Sequence, residues 1–365
     1  MYIFNEGQWR FLGKKVFVGM SGGVDSSVTA ALLIEKGYEV EGIHLVLSPD
    51  DKGEAGKDAQ AVADKLGIPL HIMNFQEEFE KNVIDYFTDE YLNGRTPNPC
   101  IKCNETIKFG LMLDKALEMG ADYIATGHYA KIRHSFGRYL LEKSPSSKDQ
   151  SYFLSRLTQK QLKHTLFPIC EYEKEDTRKI AEKYGLPVAK KADSQEICFI
   201  PDNNYAEFIV DRTGIKPERG NFIDSDGKIL GEHKGILYYT IGQRKGLGVS
   251  FGEPMFVTRI LPETNEILLA PDGFQKEQAF VVENMNYISM PKPLSAEVNV
   301  DVKIRCQAKP APAHVVPLSD GSVRVEFFEP QRAITPGQAA VLYDGNTVIG
   351  GGYISNIVDV EKQDV

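Results

Sequence analysis

The run Gly19-Met20-Ser21-Gly22-Gly23-Val24-Asp25-Ser26-Ser27 constrains this chain more than any other stretch. It follows a short β-rich segment, Val16 to Met20, and precedes a helical pattern through Val28, Ala31 and Leu32. A strand, a tight glycine turn and a helix in that order commit the N-terminal region to a sheet covered by helices. Paired glycines let the backbone approach an anion, serine hydroxyls add donors, and the following helix N-terminus supplies partial positive charge. The run lacks the GK[ST] ending of a Walker A loop. Taken out of context, it also fits a glycine turn whose Ser or Asp caps the helix.

The first half repeats this alternation. Val40 to Leu47, Leu70 to Phe75 and Tyr123 to Thr126 read as further strands. Ala59, Val62, Ala63 and Leu66 share one helix face, and Phe79, Val83, Phe87 and Tyr91 recur at four-residue steps along another. The expected fold class is α/β with a parallel sheet. From about Asn221 the pattern changes to Gly/Pro turns and short alternating runs. Ala296, Val298, Val300, Val302, Ile304 and Cys306 would line one face of a strand, with Val323, Val325 and Phe327 in a partner. We therefore expect an α/β domain carrying the glycine loop over residues 1–204, a small linking β domain over 205–280 and a C-terminal β-barrel over 281–365.

The chain has 365 residues, enough for several cores, and no apolar stretch approaching the roughly 18 to 20 residues that span a bilayer. Met1 to Lys15 shows no apolar secretion segment, and the five cysteines are an odd number in a large chain. A cytoplasmic protein without membrane contact fits these features. The net charge of −9 counts against a general DNA or RNA binder, since phosphate affinity comes from excess Lys and Arg. Any RNA must meet a local basic surface, for which Lys190-Lys191, Arg212 to Arg219 and Arg244-Lys245 are candidates.

Thiol chemistry enters at Arg95-Thr96-Pro97-Asn98-Pro99-Cys100-Ile101-Lys102-Cys103-Asn104. Its two prolines suggest an irregular loop before a helix beginning near Glu105. A cysteine near a helix start and beside Lys102 is a plausible thiolate nucleophile. A third cysteine lies in Asp193-Ser194-Gln195-Glu196-Ile197-Cys198-Phe199-Ile200, where the apolar run reads locally as a buried structural thiol.

The glycine run resembles the pyrophosphatase-type loop of enzymes that split ATP between its α- and β-phosphates, such as GMP, NAD and argininosuccinate synthetases and RNA-modifying enzymes. Six more motifs follow in order: NPCIKCN from Asn98, ADYIATGHYA from Ala121, KDQSYFL from Lys148, ICFI from Ile197, GQRKGLG from Gly242 and TPGQAAVLY from Thr335. Together, over roughly residues 14 to 355, the chain resembles the bacterial tRNA-specific 2-thiouridylase family, which thiolates the wobble uridine of tRNAs for lysine, glutamate and glutamine. The resemblance implies ATP with Mg²⁺ as cofactor, tRNA as substrate, and a cysteine desulfurase or sulfur-relay protein as persulfide donor.

Position by position, the resemblance implies that Gly19, Met20, Ser21, Gly22, Gly23, Val24, Asp25 and Ser26 hold phosphates, with Asp25 either near Mg²⁺ or capping the helix. Leu45 would lie by the adenine, and Gly127 would approach the nucleotide. Cys103 matches the nucleophilic cysteine and Cys198 the persulfide carrier, the two ending in a disulfide. Asn98, Pro99 and Cys100 match the segment that meets the flipped target base. His128, Lys148, Asp149, Gln150, Arg305, Cys306 and Gln338 match tRNA-contacting positions, although read alone His128 is equally a strand-end histidine and Gln338 a turn residue. Two departures stand out: many members have an aspartate where this chain has Cys100, and the segment Val46 to Lys57 lacks their longer acidic insertion.

Chemistry independently favours such a pairing of motifs. Adenylation turns a uridine 2-oxygen into a leaving group, a persulfide is a strong nucleophile, and a second thiol breaks its S–S bond. A single-stranded anticodon loop makes exposing the base cheap. Alternatives are a [4Fe-4S] cluster on Cys100, Cys103 and Cys198, a zinc site on the same residues, and a synthetase that amidates a small molecule.

Overall fold

Strand β1 (Lys15–Gly19) buries Val16, Phe17 and Val18 completely, as expected of a parallel strand covered on both faces. The computed structural model describes residues 13–48, 53–192, 197–200, 204–250, 252–273 and 276–358. The reading of the first twelve residues and of Asp193-Ser194-Gln195-Glu196 lies outside them. The chain continues through α1 (Val24–Glu35), β2 (Glu39–Val46), α2 (Glu54–Leu66) and β3 (Leu70–Asn74). Ala59, Val62 and Ala63 form the buried face of α2. Helix α3 covers residues 76–92 and contains a π-wound turn, Glu80–Ile84. Four-residue steps drift around an α-helix of 3.6 residues per turn, and the wider turn absorbs that drift. Phe79, Val83, Phe87 and Tyr91 consequently all remain buried.

Helix α4, residues 99–118, is also π-wound in its middle, Asn104–Leu111. After it come β4 (Tyr123–Ala125), the hairpin β5 (Ala130–Ser135) and β6 (Arg138–Lys143), α5 (Gln159–Lys163), β7 (Thr165–Leu166) and α6 (Lys174–Lys183). The parallel sheet runs β3-β2-β1-β4-β7. Its order reverses direction between β1 and β4, the switch point where open α/β sheets take ligands at the strands' carboxyl ends.

Further along lie α7 (Tyr205–Thr213), capped by the Asn204 side chain, and β8 (Gly220–Ile223), β9 (Ile229–His233), β10 (Met255–Leu261) and β11 (Glu266–Pro271). These four strands make a sheet of order β10-β11-β8-β9 over Phe222, Tyr239, Val257, Ile267 and Leu269. The strands β12 (Lys276–Tyr287), β13 (Val298–Lys303), β14 (Ala311–Pro317), β15 (Val323–Arg332), β16 (Ala339–Asp344) and β17 (Thr347–Val358) form a barrel that the β12–β17 pairing closes. Val302, Ile304, Val323, Val325 and Phe327 fill its core. The expected alternation is correct from Val298 to Ile304 only. Ala296 precedes β13 and is exposed, while Cys306 lies in the turn after it.

The described residues divide into two compact units, one within residues 13–83, 100–192 and 346–348, the other within 84–99, 197–345 and 349–358. Among the described residues no helix is long and apolar enough to cross a membrane.

Candidate functional site

The glycine loop sits at the switch point, between the end of β1 and the start of α1. Met20 N donates to Ile43 O at 2.7 Å and Met20 O accepts from the His44 ring at 2.8 Å, which pins the loop's entry to β2. Gly22 has φ +69°, and a Cβ there would come within 2.4 Å of Ala55 O, so both conformation and space demand glycine. The Ser26 and Ser27 hydroxyls donate to Gly23 O at 3.2 and 2.8 Å. Gly23 is the N-cap and no side chain caps the helix, leaving first-turn amides for an anion.

Gly127, just beyond β4, packs directly on this loop: a Cβ would lie 2.8 Å from Asp25 C, Asp25 Cβ and Ser26 N. Its smallness serves the loop's position. Asp25 does not cap the helix, contrary to that expectation. Its carboxylate receives Lys174 Nζ at 2.7 and 2.9 Å and the Tyr129 hydroxyl at 2.9 Å. The Lys174 side chain is only 11% exposed, so the pair is largely sheltered from water. Lys191 Nζ donates to Gly22 O at 3.0 Å and pairs with Asp58. Lys174, Tyr129 and Lys191 brace the loop from up to 169 residues away, and no local sequence signal marks them for that role. Leu45, on β2, is partly exposed.

The cysteine segment departs from expectation. The helix starts at Pro99, not near Glu105, because proline suits the first helical position, where no amide partner is needed. Cys100 is thus exposed in the first turn, and Cys103 is 7% exposed just before the π-wound stretch. Asn104 Nδ2 donates to Phe153 O at 3.1 Å, tying this helix to the KDQSYFL segment. Lys102 Nζ lies 3.4 Å from Glu105, which Arg156 also engages at 3.1 Å, so part of its positive charge is answered. In the other unit, Cys198 is exposed, against the local reading of a buried thiol. The apolar run is anchored instead by Phe199, whose ring contacts Phe87 and Phe208 at 5.4 and 5.5 Å. None of the five cysteines is joined in a disulfide.

Several positions matched to tRNA contacts turn their side chains inward. Asp149 accepts from Ser144 N and the Ser151 hydroxyl, both at 2.8 Å, and Gln150 Oε1 accepts from Tyr129 N at 3.0 Å. Lys148 is exposed. His128 is partly buried between Phe109 and Phe167 and contacts Thr126 Oγ1 at 2.8 Å through Nδ1. Loss of hydration, reinforced by Lys108, pushes its pKa down to about 3, so the ring is neutral at pH 7. Arg305 donates to Ile241 O at 3.0 Å and to the Thr335 hydroxyl. Cys306 is half-buried. Gln338 Nε2 donates to Thr96 O at 2.8 Å and Pro97 O at 3.3 Å, while Thr96 N donates to Pro336 O at 2.9 Å. The TPGQ turn therefore grips the residues that precede Asn98 and Pro99.

Residues 14–202 match the tRNA methyl transferase HUP domain family, 207–271 its PRC-barrel domain and 277–354 the aminomethyltransferase β-barrel domain. The chain is 52% identical to the tRNA-specific 2-thiouridylase MnmA of Acetivibrio thermocellus, covering 93% of this chain and 99% of that protein. It is also 52% identical to the MnmA of Clostridioides difficile, over 94% and 99%. This chain belongs to the tRNA-specific 2-thiouridylase family. Among solved structures, the U34-tRNA thiolase NcsA from Methanococcus maripaludis with its [4Fe-4S] cluster matches with 18% identity and a TM-score of 0.33, covering 56% of this chain and 65% of that one. A likeness that distant shows nothing of how this chain works.

Among the described residues, no three His, Cys, Asp or Glu side chains form a group that could hold a metal ion. Cys100 and Cys103, which share one unit, have no third such side chain grouped with them there. The glycine loop fits ATP better: its helix start is uncapped and the Cβ position of Gly23 meets nothing nearer than Ser21 Oγ at 3.4 Å.

Proposed function

We propose that this protein binds ATP at the Gly19–Ser26 loop, adenylates the 2-oxygen of the wobble uridine of tRNA for lysine, glutamate or glutamine, and replaces that oxygen with sulfur from a Cys198 persulfide. The contrast in exposure between the thiols carries the reading. Cys198 stands open beside an anchored phenylalanine, where a cysteine desulfurase or sulfur-relay protein can deliver sulfur, and Cys103 is withdrawn into a helix. ATP supplies an adenylyl group that makes the oxygen a leaving group. The loop's amides and serines hold the phosphates, with Leu45 and Gly127 flanking the nucleotide. Mg²⁺ accompanying ATP would reach Asp25 only by displacing Lys174.

The terminal persulfide sulfur attacks C2, the C2–O bond breaks, and AMP departs with the oxygen. The Cys103 thiolate attacks Cys198 Sγ, so the persulfide S–S bond breaks and a Cys103–Cys198 disulfide forms. A thiol reductant must then reopen it. Asn98, Pro99 and Cys100 would meet the extruded base, while Lys148 presents charge to tRNA phosphate.

Nucleoside mass spectrometry after incubation with tRNA, ATP and a persulfide donor tests this. Cys198→Ser should lose both persulfide labelling and 2-thiouridine. Cys103→Ser should keep the label and lose the product, and Cys100→Ser should retain some activity. Chelator-sensitive turnover with stoichiometric iron, lost together in all three variants, would replace this mechanism with a cluster.

A further inference from the structure

The β5–β6 hairpin carries a residue that its fold disfavours. Ser135 and Arg138 form the last paired position, so Phe136 and Gly137 alone make the turn. Both have positive φ, +49° and +77°, the geometry of a type I′ turn. Asn or Gly suits the first of these positions, whereas an aromatic residue in the left-handed region is strained. Phe136 is also 103% exposed, with its ring entirely in water. Neither conformation nor burial accounts for a phenylalanine there.

Its surroundings indicate what covers the ring. Between positions 130 and 143 the hairpin carries Lys131, Arg133, Arg138 and Lys143 against a single acid, Glu142, in a chain whose net charge is −9. Lys131 is held in an exposed ion pair with Glu171 at 3.0 Å, and Arg133, about half exposed, pairs with the mostly buried Glu142 at 2.6 Å. Exposed pairs are weak and readily exchanged for phosphate. Aromatic rings interleave with the charges: His134 and Tyr139 contact each other across the strands at 4.7 Å, next to the tip. The turn neighbours Ser135 and Gly137 add no apolar area, so there is one flat ring rather than the contiguous patch a protein partner would need. Cations interleaved with a free aromatic face are what single-stranded nucleic acid uses, its backbone along the charges and a base on the ring.

We propose that the β5–β6 hairpin is a tRNA-binding finger in which Phe136 stacks on an unpaired base. This rests on the tRNA reading of the preceding section and assigns to it an element outside the matched contact positions. The affinity of the full-length protein for an unmodified tRNA transcript with a wobble uridine tests it. Loss of one stacked base should weaken binding about 5- to 150-fold in Phe136→Ala and Phe136→Asn. Phe136→Tyr should bind like the parent. Because asparagine suits the left-handed turn, Phe136→Asn should melt at the same or a higher temperature, so its lost affinity cannot come from misfolding. Parent-like affinity in both the Ala and Asn variants would overturn the finger. So would unchanged tRNA affinity with slower sulfur loading of Cys198, which would assign the ring to the donor protein. A parent protein that binds no tRNA would refute the tRNA reading itself.

Discussion

Gly127→Ala offers a direct test of how the switch point is assembled. The added carbon would sit 2.8 Å from two backbone atoms of the loop and from Asp25 Cβ. Ordinary carbon contacts lie at about 3.5–4.0 Å, so the β4 end and the loop must part by about 0.7 Å or more. Overpacking of this kind costs about 1–3 kcal/mol, visible in urea unfolding. If the loop is what yields, the phosphates it holds shift with it, and displacements near 1 Å cost about 100-fold in rate. Pyrophosphate release at varied ATP should then show a higher KM for ATP and a lower kcat. Parent-like stability would refute the packing argument. Lower stability with unchanged ATP kinetics would refute the claim that Gly127 sets the loop, because the give would then lie in residues 126–128.

Two further outcomes follow from the same unit. Gly22→Ala should destabilise the free protein, since Ala55 O blocks it and φ is +69°, whereas Gly23→Ala should leave stability intact and impair only ATP use. Equal destabilisation by both, or normal ATP use by the second, would count against the cradle. His128 gives a pH signature: its folded pKa of about 3 lies below the unfolded 6.5, so its neutral form costs nothing above pH 6.5. As pH falls below that value only the unfolded chain takes up the proton, and stability drops by about 1.4 kcal/mol per unit, some 2 kcal/mol by about pH 5. His128→Gln should flatten that slope in urea titrations at the two pH values; an unchanged slope would show the imidazole to be solvated.

What could be read from sequence follows the range of the interactions. The parallel strands and the helix faces are short-period patterns that correspond to elements within one or two residues, while the barrel alternation overruns β13 by two residues at its start and three at its end. The start of α4 at Pro99 was obscured because two prolines suggest a loop, yet one of them occupies the one helical position that tolerates it. The Asp25–Lys174 pair joins residues 149 apart, and no local pattern announces it. Likewise Cys198 looks buried from its apolar neighbours, when those neighbours are the anchor that holds it out. Family resemblance supplied positions such as Gln150 and Arg305, and only coordinates showed their polar atoms engaged by the protein itself.

The grip of Gln338 on Thr96 and Pro97 also sets an order of events during synthesis. Its partners are separated by up to 242 residues. At about 5–20 residues per second, the ribosome needs roughly 12 to 50 s to pass from one to the other. For that interval the segment leading into the cysteine helix has no TPGQ turn to rest on. On the proposed function, the residues that would present the base are thus secured only after Gln338 has emerged, and a chain released early would carry its glycine loop and its cysteine helix without that restraint.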